Sequence, residues 1–194
     1  MSSNFNISVI GDTTVGKTCI ANAILKKQFD DQFVPTIGAS MFKAIYDNSG
    51  ITETFYIWDT AGMEKYRALA PIYYRDSVAA IVVYDVTKRN TFEGLSDWIK
   101  SYHESAGESA PILIVGNKID LEDRKVQSDE GCDFAQQNNC KFLEVSAKTG
   151  VGIENILPIL SQLLSSIDFG DEYLAKKEEA QVLDEAPQTK KCCN

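Results

Sequence analysis

The sequence is poor in residues that several common site types need. Its one histidine, His103, lies on the polar side of a predicted helix, which excludes a histidine relay and predicts a solvated side chain. Lysine and arginine number 19 against 28 acidic residues, and the resulting charge of −9 argues against bulk binding to nucleic acid or anionic lipid. The five cysteines are odd in number and unevenly spaced. They predict neither a disulfide framework nor a zinc site and fit a reducing compartment.

Long apolar runs are absent as well. No apolar stretch approaches the roughly 18 residues of a membrane-spanning helix, and the first residues lack the pattern of a signal peptide. A chain of 194 residues predicts one domain and a tail. We place the domain at residues 1–167. Residues 168–194 are acidic, contain lysine and have no sustained apolar face, so they predict a flexible tail.

The sharpest motif follows an apolar run, Phe5–Ile10, that predicts a buried strand. Residues 11–18 read GDTTVGKT and match G-x-x-x-x-G-K-[ST]. Between a strand and a helix, such a loop points backbone N–H groups at an anion. Lys17 then contributes a charge to the outer phosphates, and the Thr18 hydroxyl contributes a ligand for Mg²⁺. The loop predicts a phosphate site without identifying the nucleotide, and a chance glycine-rich turn is the alternative.

The apolar pattern predicts an α/β fold. Two strand-like runs, 41–46 and 52–58, are joined by a turn at 47–50 and predict an antiparallel hairpin that ends in a loop at 59–62. Further strands are predicted at 78–84, 111–115 and 142–145, and helices at 20–24, 66–76, 92–102, 128–138 and 153–167. Ser128 is expected to cap one helix and Pro158 to kink the last. The prediction is a six-stranded, mostly parallel, doubly wound sheet with one antiparallel strand, flanked by about five helices, with ligand loops at the strand ends.

Four motifs occur in the order and approximate spacing of the small GTPases, which the chain resembles. They are the phosphate loop, Asp59-Thr60-Ala61-Gly62, Asn117-Lys118-Ile119-Asp120 and Ser146-Ala147-Lys148. The resemblance implies a P-loop NTPase with GTP or GDP and Mg²⁺. The carboxylate of Asp120 can accept two hydrogen bonds from the N1–H and N2–H₂ edge of guanine, whereas adenine offers no matching donors. An ATP-binding protein is the less favoured alternative.

The resemblance also implies roles for individual residues. It places the Ala147 N–H on the guanine oxygen and packs Lys118 and Phe29 against the base. The implied nucleotide-binding residues are Thr13, Thr14, Val15, Gly16, Lys17, Thr18, Cys19, Phe29, Phe33, Thr36, Gly62, Asn117, Lys118, Asp120, Ser146, Ala147 and Lys148.

The implied switch involves two loops and one metal ion. Thr36 matches the threonine that binds Mg²⁺ only when a γ-phosphate is present, although a hydroxyl capping a turn is the alternative. Asp59 matches the acid that holds the metal through water, and Gly62 the N–H that reaches the γ-phosphate. With Thr18, these residues give the metal set Thr18, Thr36 and Asp59 and the catalytic set Lys17, Thr36, Gly62 and Met63.

Met63 departs from the family pattern, which has glutamine at this position. The glutamine amide orients the attacking water, and a thioether can neither donate a proton nor accept one strongly. We therefore expect GTP hydrolysis to be slow when the protein is alone. TBC-type GAPs resemble enzymes that contribute their own glutamine and arginine, so assisted hydrolysis is expected to survive. The alternative is a GTP-locked scaffold that recruits effectors without useful turnover.

Within the superfamily the chain is similar to the Rab proteins, and to the endosomal subgroup in particular. The similarity rests on Trp58, Tyr73-Tyr74-Arg75, residues 81–85 and Ile37-Gly38-Ala39-Ser40. It implies an effector surface of Ile37, Met41, Phe42, Trp58 and Tyr73, although plain core packing is the alternative for each aromatic. In the family, Trp58 and Tyr73 belong to an exposed group of three aromatic residues whose third member is usually phenylalanine. In this sequence Met41 occupies that third position, and Phe42 is the next residue.

The last residues, Cys192-Cys193-Asn194, resemble the Rab ending that carries two prenyl groups. Two free thiols on a tail are the alternative. The resemblance implies a monomer that binds effectors, an exchange factor, a TBC-type GAP, GDI and a prenylation escort, with no nucleic-acid partner. It implies residence in the cytosol and on the cytoplasmic face of endosomal or other vesicle membranes. A soluble signalling GTPase of the Ras or Ran kind is a further alternative.

Overall fold

A single sheet of six strands organises the chain. The computed structural model describes residues 2–26, 36, 39–60 and 74–167. The strands are β1 (Ser2–Ile10), β2 (Ala39–Asn48), β3 (Ile51–Thr60), β4 (Ala79–Asp85), β5 (Ile112–Asn117) and β6 (Lys141–Val145). They lie in the order β2-β3-β1-β4-β5-β6. Only the β2–β3 pair is antiparallel, which confirms the predicted sheet.

Five α-helices pack around the sheet in the described part of the chain. They are α1 (Lys17–Ile24), α2 (Arg89–Glu93), α3 (Leu95–Ala106), α4 (Ser128–Gln137) and α5 (Ile156–Ser165), with a 3₁₀ turn at Ile153–Asn155. The helices predicted at 20–24, 128–138 and 153–167 correspond to α1, α4 and α5. Every residue of β4 and β5 is buried, as expected for parallel strands covered by helices on both faces.

The β2–β3 hairpin is longer than its apolar runs predict. Its turn is only Ser49-Gly50, and both residues have positive φ, which two-residue turns between twisted strands favour. At the other end, the predicted loop at 59–62 is wrong for its first two residues. Asp59 and Thr60 belong to β3 because the ladder continues to Ser40 and Ala39 of β2. The Thr60 hydroxyl also donates to the Val9 carbonyl at 2.8 Å.

Three helix predictions need correction. The helix predicted at 92–102 is two helices with Gly94 between them, a residue with weak helix propensity. Ser128 is the first residue of α4 instead of its cap, and Gln127 occupies the cap position without a side-chain cap bond. Pro158 lies in the first turn of α5, where a missing N–H costs no intrahelical bond, so it does not interrupt the helix interior.

His103 is also less exposed than its position on the helix predicts. The side chain is half-buried, its Nε2 lies 3.1 Å from the Ala110 carbonyl oxygen, and its ring lies against Tyr102. The loop after α3 therefore contacts this side chain through Ala110.

The chain divides into two units, Met1–Leu164 and Ser165–Asn194. Most of the second lies outside the described residues, as do the helix predicted at 66–76, apart from its end, and the segment 27–35. The boundary at 167/168 stays a prediction. Within the described residues, no helix combines the length and apolar character that crossing a bilayer requires.

Candidate functional site

The phosphate-loop motif connects the end of β1 to the start of α1, as predicted. Gly11 and Gly16 have φ of 138° and 100°, which an L side chain rarely adopts. A Cβ at Gly11 would lie 2.3 Å from the Val83 carbonyl oxygen, and one at Gly16 would lie 2.3 Å from Asn117 Nδ2. The loop is therefore packed directly against β4 and β5. Thr14 has φ of 65°, a strained conformation for a β-branched residue.

Lys17 is buried beneath this loop. Its Nζ donates to the carbonyl oxygens of Gly11 at 2.9 Å and Asp12 at 2.6 Å. Burial lowers the pKa of Lys17 to about 8, although the charges of Asp59 and Asp12 act in the opposite direction. Helix α1 begins here with Gly16 at its cap position and no side-chain cap bond, so its first N–H groups are available to an anion. This donor set fits a phosphate.

Three oxygens from distant parts of the sequence meet next to Lys17. The Thr18 hydroxyl donates to Asp59 Oδ2 at 2.7 Å, and the Thr36 hydroxyl lies 3.3 Å from the same oxygen. The two hydroxyl oxygens are 3.1 Å apart. Asp59 is fully buried and its Oδ1 has no hydrogen-bond partner in the described part of the chain. Burial raises the pKa of Asp59, with the Thr18 and Thr36 hydroxyls and Lys17 opposing it. An unpaired buried carboxylate oxygen beside two hydroxyls fits the oxygen ligands that Mg²⁺ prefers.

The predicted base-binding residues also come together. Asn117 ends β5, and its Nδ2 donates to the Val15 carbonyl at 2.8 Å while its Oδ1 accepts from the Ala147 N–H at 3.1 Å. The Ser146 hydroxyl donates to Asp120 Oδ1 at 2.6 Å. These bonds connect the Asn117–Asp120 loop to the phosphate loop and to the end of β6. The Ala147 N–H, which the resemblance assigns to the base, is donated to Asn117 in this structure.

Lys118 connects the same two loops through its side chain. Its Nζ donates to the Thr14 carbonyl at 2.8 Å and forms an ion pair of 2.6 Å with Asp85 Oδ2 at the end of β4. Burial of Asp85 opposes its ionisation, but hydrogen bonds from Lys118 and Thr87 outweigh this, so its pKa lies below the ordinary value. The ammonium is thereby fixed between the phosphate loop and the end of β4.

An ion pair supports the base-binding loop from its far end. Arg124 contacts Glu144 through both Nη atoms, at 2.6 and 3.3 Å, and Nη1 also donates to the Val126 carbonyl at 3.0 Å. Glu144 lies two residues before Ser146 in sequence. The loop that carries Asp120 is thus attached to β6 through Glu144, and through an Ile119 N–H bond to the Val145 carbonyl at 3.3 Å, and to Ser146 directly after β6.

The β2–β3 register shows which residue shares a face with Trp58. Met41 is directly opposite Trp58 in the ladder, whereas Phe42 is opposite Ile57 and faces the other side of the sheet. Met41 is also 49% exposed. Of the two candidates for the third effector-surface position, Met41 therefore has the matching placement.

Several predicted site residues lie outside the described part of the chain. They are Phe29, Phe33, Ile37, Gly62, Met63, Tyr73, Cys192 and Cys193. Thr13 and Lys148 are exposed, and Cys19 is half-buried behind the phosphate loop.

Sequence reasoning missed three residues that contact the site. Asp85 pairs with Lys118, Lys88 Nζ donates to the Thr14 hydroxyl at 3.0 Å, and Trp98 Nε1 donates to Asp12 Oδ1 at 2.8 Å. Asp85 carried a signal, because it follows a buried strand at the edge where ligand loops meet. Trp98 gave only the signal of an apolar helix face.

A strand, a glycine-containing loop and a helix that begins with Lys17 and Thr18 define a P-loop nucleotide-binding protein. Comparison with known proteins narrows this class. The sequence profile of the Ras family matches residues 6–166. Ras-related protein Rab-22A of Mus musculus is 40% identical over 163 residues, covering 84% of each chain. Ras-related protein Rab-31 of Rattus norvegicus is 37% identical with the same coverage. Ras-related protein SEC4 of Saccharomyces cerevisiae is 37% identical over 81% of this chain and 74% of its own.

The chain therefore belongs to the Ras family of small GTPases, in its Rab branch. Members of this family bind GTP and GDP with Mg²⁺ and hydrolyse GTP, and Rab proteins are switches in membrane traffic.

Proposed function

We propose that this chain is a GTP/GDP-dependent switch that regulates vesicular membrane traffic. The observation that supports this most is the meeting of Thr18, Thr36 and Asp59. Thr18 belongs to α1, Thr36 lies three residues before β2, and Asp59 lies at the end of β3. A ligand held at this point contacts the fixed phosphate loop and two further segments of chain. While a γ-phosphate is bound, this contact holds the two segments in place. When the γ-phosphate is lost, the contact breaks and the segments are released.

The residues divide the binding task between them. Lys17 and the first N–H groups of α1 would hold the phosphates, and Thr18, Thr36 and Asp59 would hold Mg²⁺, whose charge would offset that of the phosphate oxygens. Asp120, oriented by Ser146, selects guanine. We assign the γ-phosphate contact to the Gly62 N–H, as the family resemblance implies.

The identity of the nucleotide that copurifies with the protein tests this proposal. Acid denaturation followed by chromatography of the supernatant is expected to release about one guanine nucleotide per chain. Addition of GTP and Mg²⁺ to the protein is then expected to produce GDP and phosphate. Release of adenine nucleotide, or binding of neither, contradicts the proposal.

Met63→Gln is expected to raise the unassisted rate of GTP hydrolysis by about tenfold or more, because an amide can orient the attacking water and a thioether cannot. A related GTPase that has its glutamine turns over at only about 10⁻⁴ s⁻¹ when alone, so single-turnover release of phosphate is the suitable measurement. Equal rates of unassisted hydrolysis in the two proteins would show that Met63 does not slow the reaction.

The second candidate function is a GTP-locked scaffold that recruits effectors, and Met63 is the feature that favours it. A TBC-type GAP distinguishes the two. The switch predicts that hydrolysis accelerates when the GAP is added, since the GAP brings its own glutamine and arginine. The scaffold predicts no acceleration.

We also propose that Cys192 and Cys193 carry two prenyl groups. At about 0.8 kcal/mol per buried CH₂, one chain attaches reversibly and two give a stable anchor. Lys190 and Lys191 are the only cations near the end, too few for strong attraction to anionic lipid. The anchor places the protein on endosomal or other vesicle membranes, where effectors bind, while GDI, an exchange factor and a prenylation escort complete the cycle.

Replacing both cysteines with serine is expected to move the protein from membranes to cytosol, measured by fractionation of cells that express it. The mass of the C-terminal peptide should show two geranylgeranyl groups in the parent protein. Unchanged partition, or an unmodified peptide, favours a soluble GTPase of the Ras or Ran kind.

A further inference from the structure

One contact of the phosphate loop comes from a helix that has no assigned part in nucleotide binding. Trp98 lies in the first turn of α3, and its Nε1 donates to Asp12 Oδ1 at 2.8 Å across 86 residues of sequence. The indole is 5% exposed and packs in the core cluster with Leu95 and Tyr102. Because the ring is held by this packing, the direction of its N–H is fixed.

Asp12 links this contact to the phosphate-binding ammonium. Its side chain accepts the Trp98 N–H, and its main-chain oxygen accepts Lys17 Nζ at 2.6 Å. The orientation of Asp12 therefore determines both its bond to Trp98 and its bond to Lys17. The Asp12 carboxylate also lies beside Gly94, where α3 begins, and a Cβ at Gly94 would be 3.6 Å from Asp12 Oδ2. The N-terminus of a helix favours a negative charge, so this position adds to the preference for one orientation.

We propose that Trp98 is a positioning residue for the phosphate loop: through Asp12 it holds the Asp12 carbonyl, and with it Lys17, in the arrangement that retains the β-phosphate. This inference rests on the proposed function, since it concerns the same nucleotide site. It adds a determinant of the rate of nucleotide release, located in α3.

Trp98→Phe removes the N–H and keeps most of the ring packing. We expect it to raise the rate constant of GDP dissociation by about tenfold, the lower end of what loss of a hydrogen bond to a charged group produces. The matched control is Tyr102→Phe, one turn along the same helix. It removes a buried hydroxyl that donates to the carbonyl of Ser77, a residue outside the phosphate loop, at 3.4 Å, and is expected to leave the rate unchanged. Dissociation is followed with a fluorescent GDP derivative on the full chain with Mg²⁺.

Two further measurements separate positioning from a general loss of stability. The ³¹P resonance of the β-phosphate in bound GDP should shift in Trp98→Phe and not in Tyr102→Phe. Combined with Asp12→Ala, Trp98→Phe should add little further increase in the dissociation rate, because the two changes remove the same bond.

The inference is overturned if Trp98→Phe releases GDP at the parent rate, or if its effect is unchanged in the Asp12→Ala background. A parent protein that fails to bind GDP at all instead contradicts the proposed function. The two failures are therefore distinguishable.

Discussion

Asp120→Asn is expected to lower the affinity for GDP by about 100-fold or more and to raise the affinity for xanthosine diphosphate. The carboxylate accepts from the two guanine donors, whereas an amide places its own N–H₂ against one of them. Xanthine carries a carbonyl oxygen at that position, which accepts from the amide. Sites built to hydrogen-bond a ligand reject a mismatched one strongly, because buried groups are left unpaired. Competition binding measures the affinities of the parent protein and the variant for GDP and for xanthosine diphosphate.

Asp123→Asn is the matched control, because it makes the same charge change three residues later in the same loop, at an exposed position. It is expected to leave both affinities near those of the parent protein. Loss of GDP affinity in both variants, or no gain of xanthine binding in Asp120→Asn, argues against Asp120 as the residue that reads the base.

Gly16→Ala is expected to abolish measurable nucleotide binding and to destabilise the chain by about 3 kcal/mol. The new Cβ would lie 2.3 Å from Asn117 Nδ2, and φ of 100° is unfavourable for alanine. Asn117 cannot move freely, since it bonds both Val15 and Ala147. The substitution thus disrupts the bonds that join the phosphate loop to the base-binding loop. Thermal unfolding and a fluorescent-nucleotide titration measure the two effects.

Gly50→Ala separates the clash from the backbone strain. Gly50 has φ of 89°, yet no atom lies within 4 Å of its Cβ position at the exposed hairpin turn. This control is expected to lose about 1 kcal/mol of stability and to bind nucleotide normally. If Gly16→Ala behaves like Gly50→Ala, the close packing of the loop against Asn117 is not important for binding.

The sequence contains the information for the sheet because its signals are local. Fully buried strands such as β4 give continuous apolar runs, and the hairpin turn ends in Gly50, which adopts positive φ without steric cost. The helix break at Gly94 was missed because the apolar spacing continues through it. The extension of β3 to Thr60 was missed because it depends on pairing with β2, which local pattern does not report.

The site residues also divide into those with a local sequence signal and those that depend on contacts between distant parts of the chain. Lys17, Thr18, Asn117 and Asp120 occur in motifs whose spacing reflects a chemical requirement, and in the structure each of them bonds to another residue of these motifs. The contact between Trp98 and Asp12 has no such signal, since a tryptophan on an apolar helix face is explained by packing alone. Contacts between residues far apart in sequence depend on tertiary geometry, and these supply the groups that hold the site's own residues in place.

Thr36 is expected to contact the metal in only one nucleotide state, and a pair of crystal structures can show this. With Mg²⁺ and a non-hydrolysable GTP analogue, we predict that Thr36 Oγ1 and Thr18 Oγ1 both bind Mg²⁺ and that the Gly62 N–H reaches the γ-phosphate. With Mg²⁺ and GDP, we predict that Thr18 keeps this contact and Thr36 leaves it. Identical positions of Thr36 in the two structures would show that this residue does not respond to the γ-phosphate and that the chain is not a switch of the proposed kind.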